Sequence, residues 1–291
     1  MSLVDFLGIQ SDGWDSHMHV VDIASFPLAA SAPYRPSAYT LDDALAFEAK
    51  LGLGKIVIIQ PSFYGFDNSC LLDTLRRLGT SRARGVVVFD PENTSHATLK
   101  EWHALGVRGV RLNLQSTSES WDREKIRQVV RRYAEAVKPY GWVMQIYSEL
   151  KVVSWIADII ETTGVKACFD HFAHPPLSDE DSSAFSQTRD PHVLEGFDAL
   201  IRLLEAGNTY VKFSAAYRII ELDKMDYLEP IAKEILKVRD GTRVVFGTDW
   251  PHTQFEGMDV IPFVSKMLEW VNPEIRSKIF KENAAGLWDI E

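Results

Sequence analysis

The chain has only two cysteines in 291 residues, Cys70 and Cys168, far apart and without the paired spacing of a metal finger. Buried free thiols are therefore expected rather than a disulfide framework. It also lacks an excess of positive charge. Its 31 Lys and Arg stand against 41 Asp and Glu, a formal net charge of -10, which leaves no basic field for a phosphate backbone or an anionic lipid surface. No apolar run approaches the roughly 20 residues of a membrane helix, and the opening Met-Ser-Leu-Val-Asp-Phe-Leu lacks the basic and then apolar order of a secretory leader. Neither nucleic acid nor membrane is expected as a partner, and the expected compartment is the cytoplasm. Low-complexity segments and composition breaks are absent too, so one domain over 1–291 is expected.

What the chain does contain is apolar content of 46%, arranged as short strands alternating with amphipathic helices. Eight strand candidates stand out: Asp15–Val20, Lys55–Gln60, Gly85–Asp90, Val107–Asn113, Trp142–Tyr147, Lys166–His171, Thr209–Ser214 and Val244–Asp249. Ile56-Val-Ile-Ile59 and Gly85-Val-Val-Val-Phe89 are apolar on both faces, as parallel strands between helices and a packed interior must be. Helices are expected from Leu41 to Leu51 behind a Thr40/Asp43 cap, Ser95 to Leu105, Asp122 to Val137 and Glu149 to Thr163. The pattern predicts an α/β fold, a single-domain (β/α)8 TIM barrel. A doubly wound sheet would need a G-x-G-x-x-G turn after its first strand, and none is present. Two long connections, Val21 to Tyr39 and Phe172 to Pro191, leave carboxyl ends of strands and are candidate lids.

Chemistry concentrates at those carboxyl ends. In Asp15-Ser-His-Met-His19 the strand period puts His17 and His19 on one face and Met18 on the other. In Phe246-Gly-Thr-Asp-Trp-Pro-His252 a carboxylate, Asp249, ends the last strand. His171 ends the sixth, with Asp170 of opposite parity and better placed to orient than to react. Arg111 and Asn113 share a face of the fourth strand. A guanidinium in an apolar strand needs a counter-charge, either an anionic substrate group or a barrel carboxylate such as Asp90. Arg108 has the opposite parity and is expected among the outer helices. Gln145 and Tyr147 end the fifth strand, Tyr64 follows the second and Tyr217-Arg218 the seventh. His96, His103 and His192 sit in helical or loop contexts without ligand spacing.

The order of these residues resembles the amidohydrolase superfamily, and within it the lactonase-like branch typified by 2-pyrone-4,6-dicarboxylate hydrolase and sugar lactonases. The likeness runs over nearly the whole chain: His17-x-His19, Tyr64-Gly-x-Asp-Asn68, Arg108-Gly-Val-Arg-Leu-Asn113, Asp170-His171, Val211-Lys-Phe-Ser214 with Tyr217-Arg218, Gly247-Thr-Asp-Trp-Pro-His252 and Asn283-Ala-Ala-x-Leu287. The resemblance implies a hydrolase that opens a lactone by water attack. Asp249 would be the base, His17, His19 and His171 would donate to the oxyanion, and Arg111, Tyr147, Arg218, Tyr64, His174 and Asn113 would bind substrate. Two-metal members use a lysine on strand four and a histidine on strand five. Here those strand ends carry Arg111 or Asn113, and Tyr147, which leaves His17, His19, His171 and Asp249 for at most one zinc or other divalent ion. Metal-independent chemistry is the favoured expectation. The dicarboxylate hydrolase pattern has an arginine three residues after the strand-six histidine, whereas this chain has His174. A lactone with one carboxylate, a sugar-acid lactone or an aromatic-derived lactone is therefore the expected partner, as substrate or as its hydroxy-acid product. A mononuclear zinc hydrolase or decarboxylase and a non-catalytic binding barrel are the alternatives, and a homo-oligomer is open.

Overall fold

The computed structural model describes residues 12–115, 121–177 and 184–289. Along them run β1 (Trp14–Met18), α1 (Leu41–Leu51), β2 (Lys55–Ile59), α2 (Ser69–Leu78), β3 (Ala83–Val87), α3 (His96–Leu105), β4 (Val107–Asn113) and α4 (Arg123–Val137). There follow β5 (Val143–Tyr147), α5 (Lys151–Thr163), β6 (Lys166–Phe169), α6 (Phe197–Ala206), β7 (Thr209–Phe213), α7 (Glu229–Lys237), β8 (Val244–Phe246), α8 (Ile261–Trp270) and α9 (Asn283–Leu287). The eight strands lie in chain order, each parallel to the next. Backbone bonds from Asp249 N–H to His17 C=O (2.7 Å) and from His19 N–H to Trp250 C=O (2.8 Å) join the last strand to the first. This is the expected (β/α)8 barrel.

Local rules account for the helix starts. Thr40 and Asp43 form a reciprocal capping box on α1, Ser95 Oγ accepts from Thr98 N–H on α3, and Asp122 accepts from Lys125 N–H on α4. The core has two layers. Strand residues including Val57, Ile59, Val86, Val143, Cys168 and Val245 fill the interior above Trp288. A larger cluster, with Met18 in it, lies between strands and helices. Cys70 and Cys168 are buried and free. No helix among the described residues is long and apolar enough to cross a membrane.

Three strand boundaries differ from expectation for a common reason. The sixth strand stops at Phe169, the seventh at Phe213 and the eighth at Phe246. Just beyond them the backbone turns left-handed at His171 (φ 52°), Ala215 (φ 46°) and Asp249 (φ 64°), a conformation uncommon for residues with a Cβ. The third strand begins two residues early, at Ala83, and ends three early, at Val87. Arg84 is tolerated there because its guanidinium reaches the barrel base and donates to the carbonyls of Trp288 (3.3 Å) and Asp289 (3.1 Å).

Candidate active site

Both sequence ends that carry the histidines and the aspartate are tied by one buried carboxylate. Asp15 accepts from His17 N–H (2.9 Å), Thr248 N–H (3.0 Å) and the Thr248 hydroxyl. Gly247 lets the strands meet, since a Cβ there would lie 2.7 Å from that of His17. Behind Asp15 stands Glu48 of α1, 3% exposed. Burial, and then the charge of Asp15, raise its pKa well above the usual carboxyl range. Neither acid was singled out in the sequence, although Glu48 occupies the buried stripe of α1 with Leu41, Ala44 and Leu51.

Asp249 is the centre of the site. Its Oδ1 faces Nε2 of His17 at 3.3 Å, of His19 at 3.6 Å and of His171 at 4.0 Å. Its Oδ2 accepts from the Tyr217 hydroxyl and from Arg218 Nε, each at 2.6 Å. Burial pushes the Asp249 pKa up, but Arg218 and His171 outweigh it and hold the carboxyl well below its ordinary range. The imidazoles are driven the other way by burial: His17 and His19 lie below the usual value and His171 is lowered to about 3. At neutral pH the rings are uncharged around an ionised carboxylate.

The ring tautomers are constrained from behind. His19 Nδ1 lies 2.7 Å from the Ile59 carbonyl. A carbonyl only accepts, so Nδ1 carries the proton and the Nε2 lone pair points at Asp249. In that state His19 does not donate to an oxyanion, contrary to the role expected for it. His171 Nδ1 is 2.8 Å from Ser214 Oγ. His17 Nδ1 lies 3.2 Å from Lys212 Nζ and 3.4 Å from Asp170 Oδ1.

Lys212 is the main residue that sequence reasoning missed. It is fully buried and contacts Gln145 Oε1 (2.7 Å) and Asp170 Oδ1 (3.3 Å) as well as His17. Gln145 in turn donates to Asp170 Oδ2 (2.9 Å). The available signal was a lone lysine between Val211 and Phe213, on the same strand parity as Ser214. Asp170 also points inward, like Cys168 two residues before it, so its expected opposite parity does not hold. His171 reaches the mouth through the left-handed turn, not through the pleat.

Above these groups a small cavity of about 40 Å³ is lined by His19, Tyr34, Ser62, Arg111, Asn113, Tyr147, His171, Arg218, Asp249 and Thr253, among others. Arg111 is 7% exposed and donates through Nη1 to the Gln60 carbonyl (2.9 Å), while its Nε has no hydrogen-bond partner and no carboxylate pairs with it among the described residues. The Asp90 alternative is not realised, because that carboxylate takes Glu92 N–H and Asn93 Nδ2 instead. Arg218 lines the cavity but is paired with Asp249. Tyr64 is not at the cavity. It is buried against Phe63, with ring centroids 5.0 Å apart. His174 packs on Tyr147 at 5.4 Å, outside the lining. Arg108 bonds the His103 carbonyl at the end of α3 and Asp289. Of the two candidate lids, the first is anchored by Tyr34, whose hydroxyl donates to Thr253 Oγ1 (3.0 Å). Part of the second, residues 178–183, lies outside the described residues.

The donor set suits a metal ion. Donor atoms of His17, His19 and Asp249 lie within 4.8 Å of one another, as do those of His17, Asp170 and His171. Zinc holds N and O ligands at about 2.0–2.2 Å, so tetrahedral neighbours stand about 3.3–3.6 Å apart. The distances from Asp249 Oδ1 to His17 and His19, 3.3 and 3.6 Å, match that spacing. His17 Nε2 is buried without a hydrogen-bond partner, and the His19 lone pair faces a carboxylate oxygen with no proton between them. His17, His19 and Asp249 therefore fit one divalent cation.

Comparison with known proteins agrees with the fold and with the family resemblance. The amidohydrolase family model matches residues 14–290, and the chain belongs to that family. It is 26% identical over 292 residues to the 4-sulfomuconolactone hydrolase of Rhizobium radiobacter, covering 97% of this chain and 91% of that one. It is 24% identical over 294 residues to the 2-pyrone-4,6-dicarboxylate hydrolase of Comamonas testosteroni, covering 94% and 89%. A candidate 2-pyrone-4,6-dicarboxylic acid hydrolase of Pseudomonas putida superposes with a TM-score of 0.77 at 26% identity, over 97% of this chain and 99% of that one.

Proposed function

We propose that this member of the amidohydrolase family opens the ring of a small anionic lactone by attack of water on the ring carbonyl. One observation carries the reading: a buried, ionised Asp249, whose Oδ1 faces three imidazoles, shares a small cavity with Arg111, a buried guanidinium that has no carboxylate partner among the described residues. The likeness to lactone hydrolases over nearly the whole chain supports it.

The chemistry follows from the residues. The substrate anion neutralises Arg111 and fixes the ring, so that carbonyl and water meet at set geometry. Tyr217 and Arg218 hold Asp249 Oδ2, leaving Oδ1 toward the water. As the water oxygen bonds to the carbonyl carbon its proton becomes acidic and passes to Oδ1, even though this carboxylate is a weak base. The endocyclic C–O bond then breaks and the proton moves from Oδ1 to the departing ring oxygen, giving the hydroxy acid. Without a bound cation, His17 and His171 are the imidazoles whose tautomers permit donation to the carbonyl oxygen.

The fixed His19 tautomer favours a cation-assisted form of this reaction over the metal-independent form expected from sequence. His17, His19 and Asp249 would hold the ion, which when bound supplies Lewis-acid polarisation and a more acidic water.

The test is acid release from a panel of carboxylate-bearing and neutral lactones, with and without added Zn²⁺. Turnover of anionic members is expected. A panel inert under both conditions overturns the reading and leaves a binding barrel.

A further inference from the structure

We propose that the substrate bears, besides its one anionic group, an apolar alkyl or aryl substituent that occupies a second chamber beside the catalytic cavity; the identity of the reacting ring rests on the lactone reading above. The catalytic cavity, about 40 Å³, has room for only a few waters. A lactone ring must therefore extend beyond it. A chamber of about 380 Å³ adjoins it, and the two share Ser62, Arg111 and Asn113.

The chamber walls are apolar, formed by Phe66, Val88, Leu114, Trp121, Val129 and Tyr133. The phenol of Tyr133 is already bonded to the Phe89 carbonyl, so it presents its ring. The charged groups near the wall are also engaged. Arg132 pairs with Glu92, and Asp90 takes Glu92 N–H and Asn93 Nδ2. Two carboxylates at this wall disfavour a second anionic group, and apart from Arg111 at the junction the one cation among the described lining residues, Arg132, is already paired. Phe66 is 64% exposed, an apolar ring standing in water at the chamber until something covers it. Arg111 sits at the junction with its buried Nε unpartnered. The anion is thus fixed where the polar cavity meets the apolar one, with the substituent directed away from Asp249.

The experiment is calorimetric binding of non-hydrolysable carbocyclic analogues, cyclopentanone carboxylates carrying hydrogen, methyl, butyl or phenyl on the ring. Burying a phenyl group predicts affinity rising roughly 10- to 100-fold along the series. Val129→Trp, or Leu114→Phe if the first variant does not fold, should fill the chamber and bring the phenyl-to-hydrogen affinity ratio close to one. A flat series in the wild-type protein overturns the chamber while leaving the lactone reading intact. Binding that rises along the series, with no turnover of the corresponding lactones, supports the chamber and overturns the lactone reading. No binding by any analogue overturns both.

Discussion

Lys212 Nζ lies 3.2 Å from His17 Nδ1 inside the barrel, and the same ammonium contacts Asp170 and Gln145. A fully buried cation so close to the imidazole disfavours a charged ring, lowering the His17 pKa after burial has done so, and it neutralises the carboxylate beside it. Lys212→Met would leave Asp170 buried and uncompensated. The expected loss is about 3–5 kcal/mol of stability, as for breaking one partner of a buried pair, together with a large fall in kcat. Denaturant melts and lactone kinetics check it, and a variant as stable as the wild type would remove Lys212 from the network.

Asp249→Asn keeps the shape of the side chain but removes the charge and the proton acceptor. Turnover should drop by about 10²–10⁴, with KM changed far less. Equal losses in kcat and in binding of a product analogue would make Asp249 a structural residue.

Arg111→Met should raise KM for a carboxylate-bearing lactone at least about tenfold, since a hydrogen bond to a charged group contributes about 1.5–3 kcal/mol, and leave a neutral lactone nearly unaffected. Parallel kinetics on the two substrates decide this, and identical effects assign the guanidinium to the scaffold.

Glu48 and Asp15 share a buried site in which Glu48 holds its proton. The folded pKa of Glu48 is raised, so the unfolded chain releases this proton first as pH rises. Stability from this group is complete below the ordinary carboxyl value of 4.5 and declines from there up to the raised folded pKa. Glu48→Gln should remove the decline. Its Tm should exceed that of the wild type by more at pH 8 than at pH 5, and an equal difference at both values contradicts a raised Glu48 pKa.

Metal binding is testable without activity. After chelator treatment and dialysis, titration with Zn²⁺ should give one equivalent per chain, and His19→Ala should weaken it by more than about tenfold, because the tautomer that Ile59 selects is the ligating one. Zero stoichiometry in the folded wild type returns the site to the metal-free form.

The barrel was legible because apolar runs and helix caps are local signals: Thr40, Ser95 and Asp122 begin their helices as the residues predict. His17, His19, His171, Arg111, Tyr147 and Asn113 were found by placing them at strand ends. What period two could not convey was where the pleat stops. Asp170 was assigned the wrong face, and His171 and Asp249 arrive through left-handed turns. Pairing was the other blind spot. Nothing in the sequence says that Arg218 meets Asp249, or that Lys212 meets Asp170, because those partners are fixed only by the closed barrel.

Asp15 and Thr248, 233 positions apart, are joined directly, and Asp249 donates its backbone N–H to the His17 carbonyl. On the mechanism proposed above, reactivity is a property of the finished ring and of no portion of it. Any lesion that springs the seam open should silence the enzyme before it unfolds it.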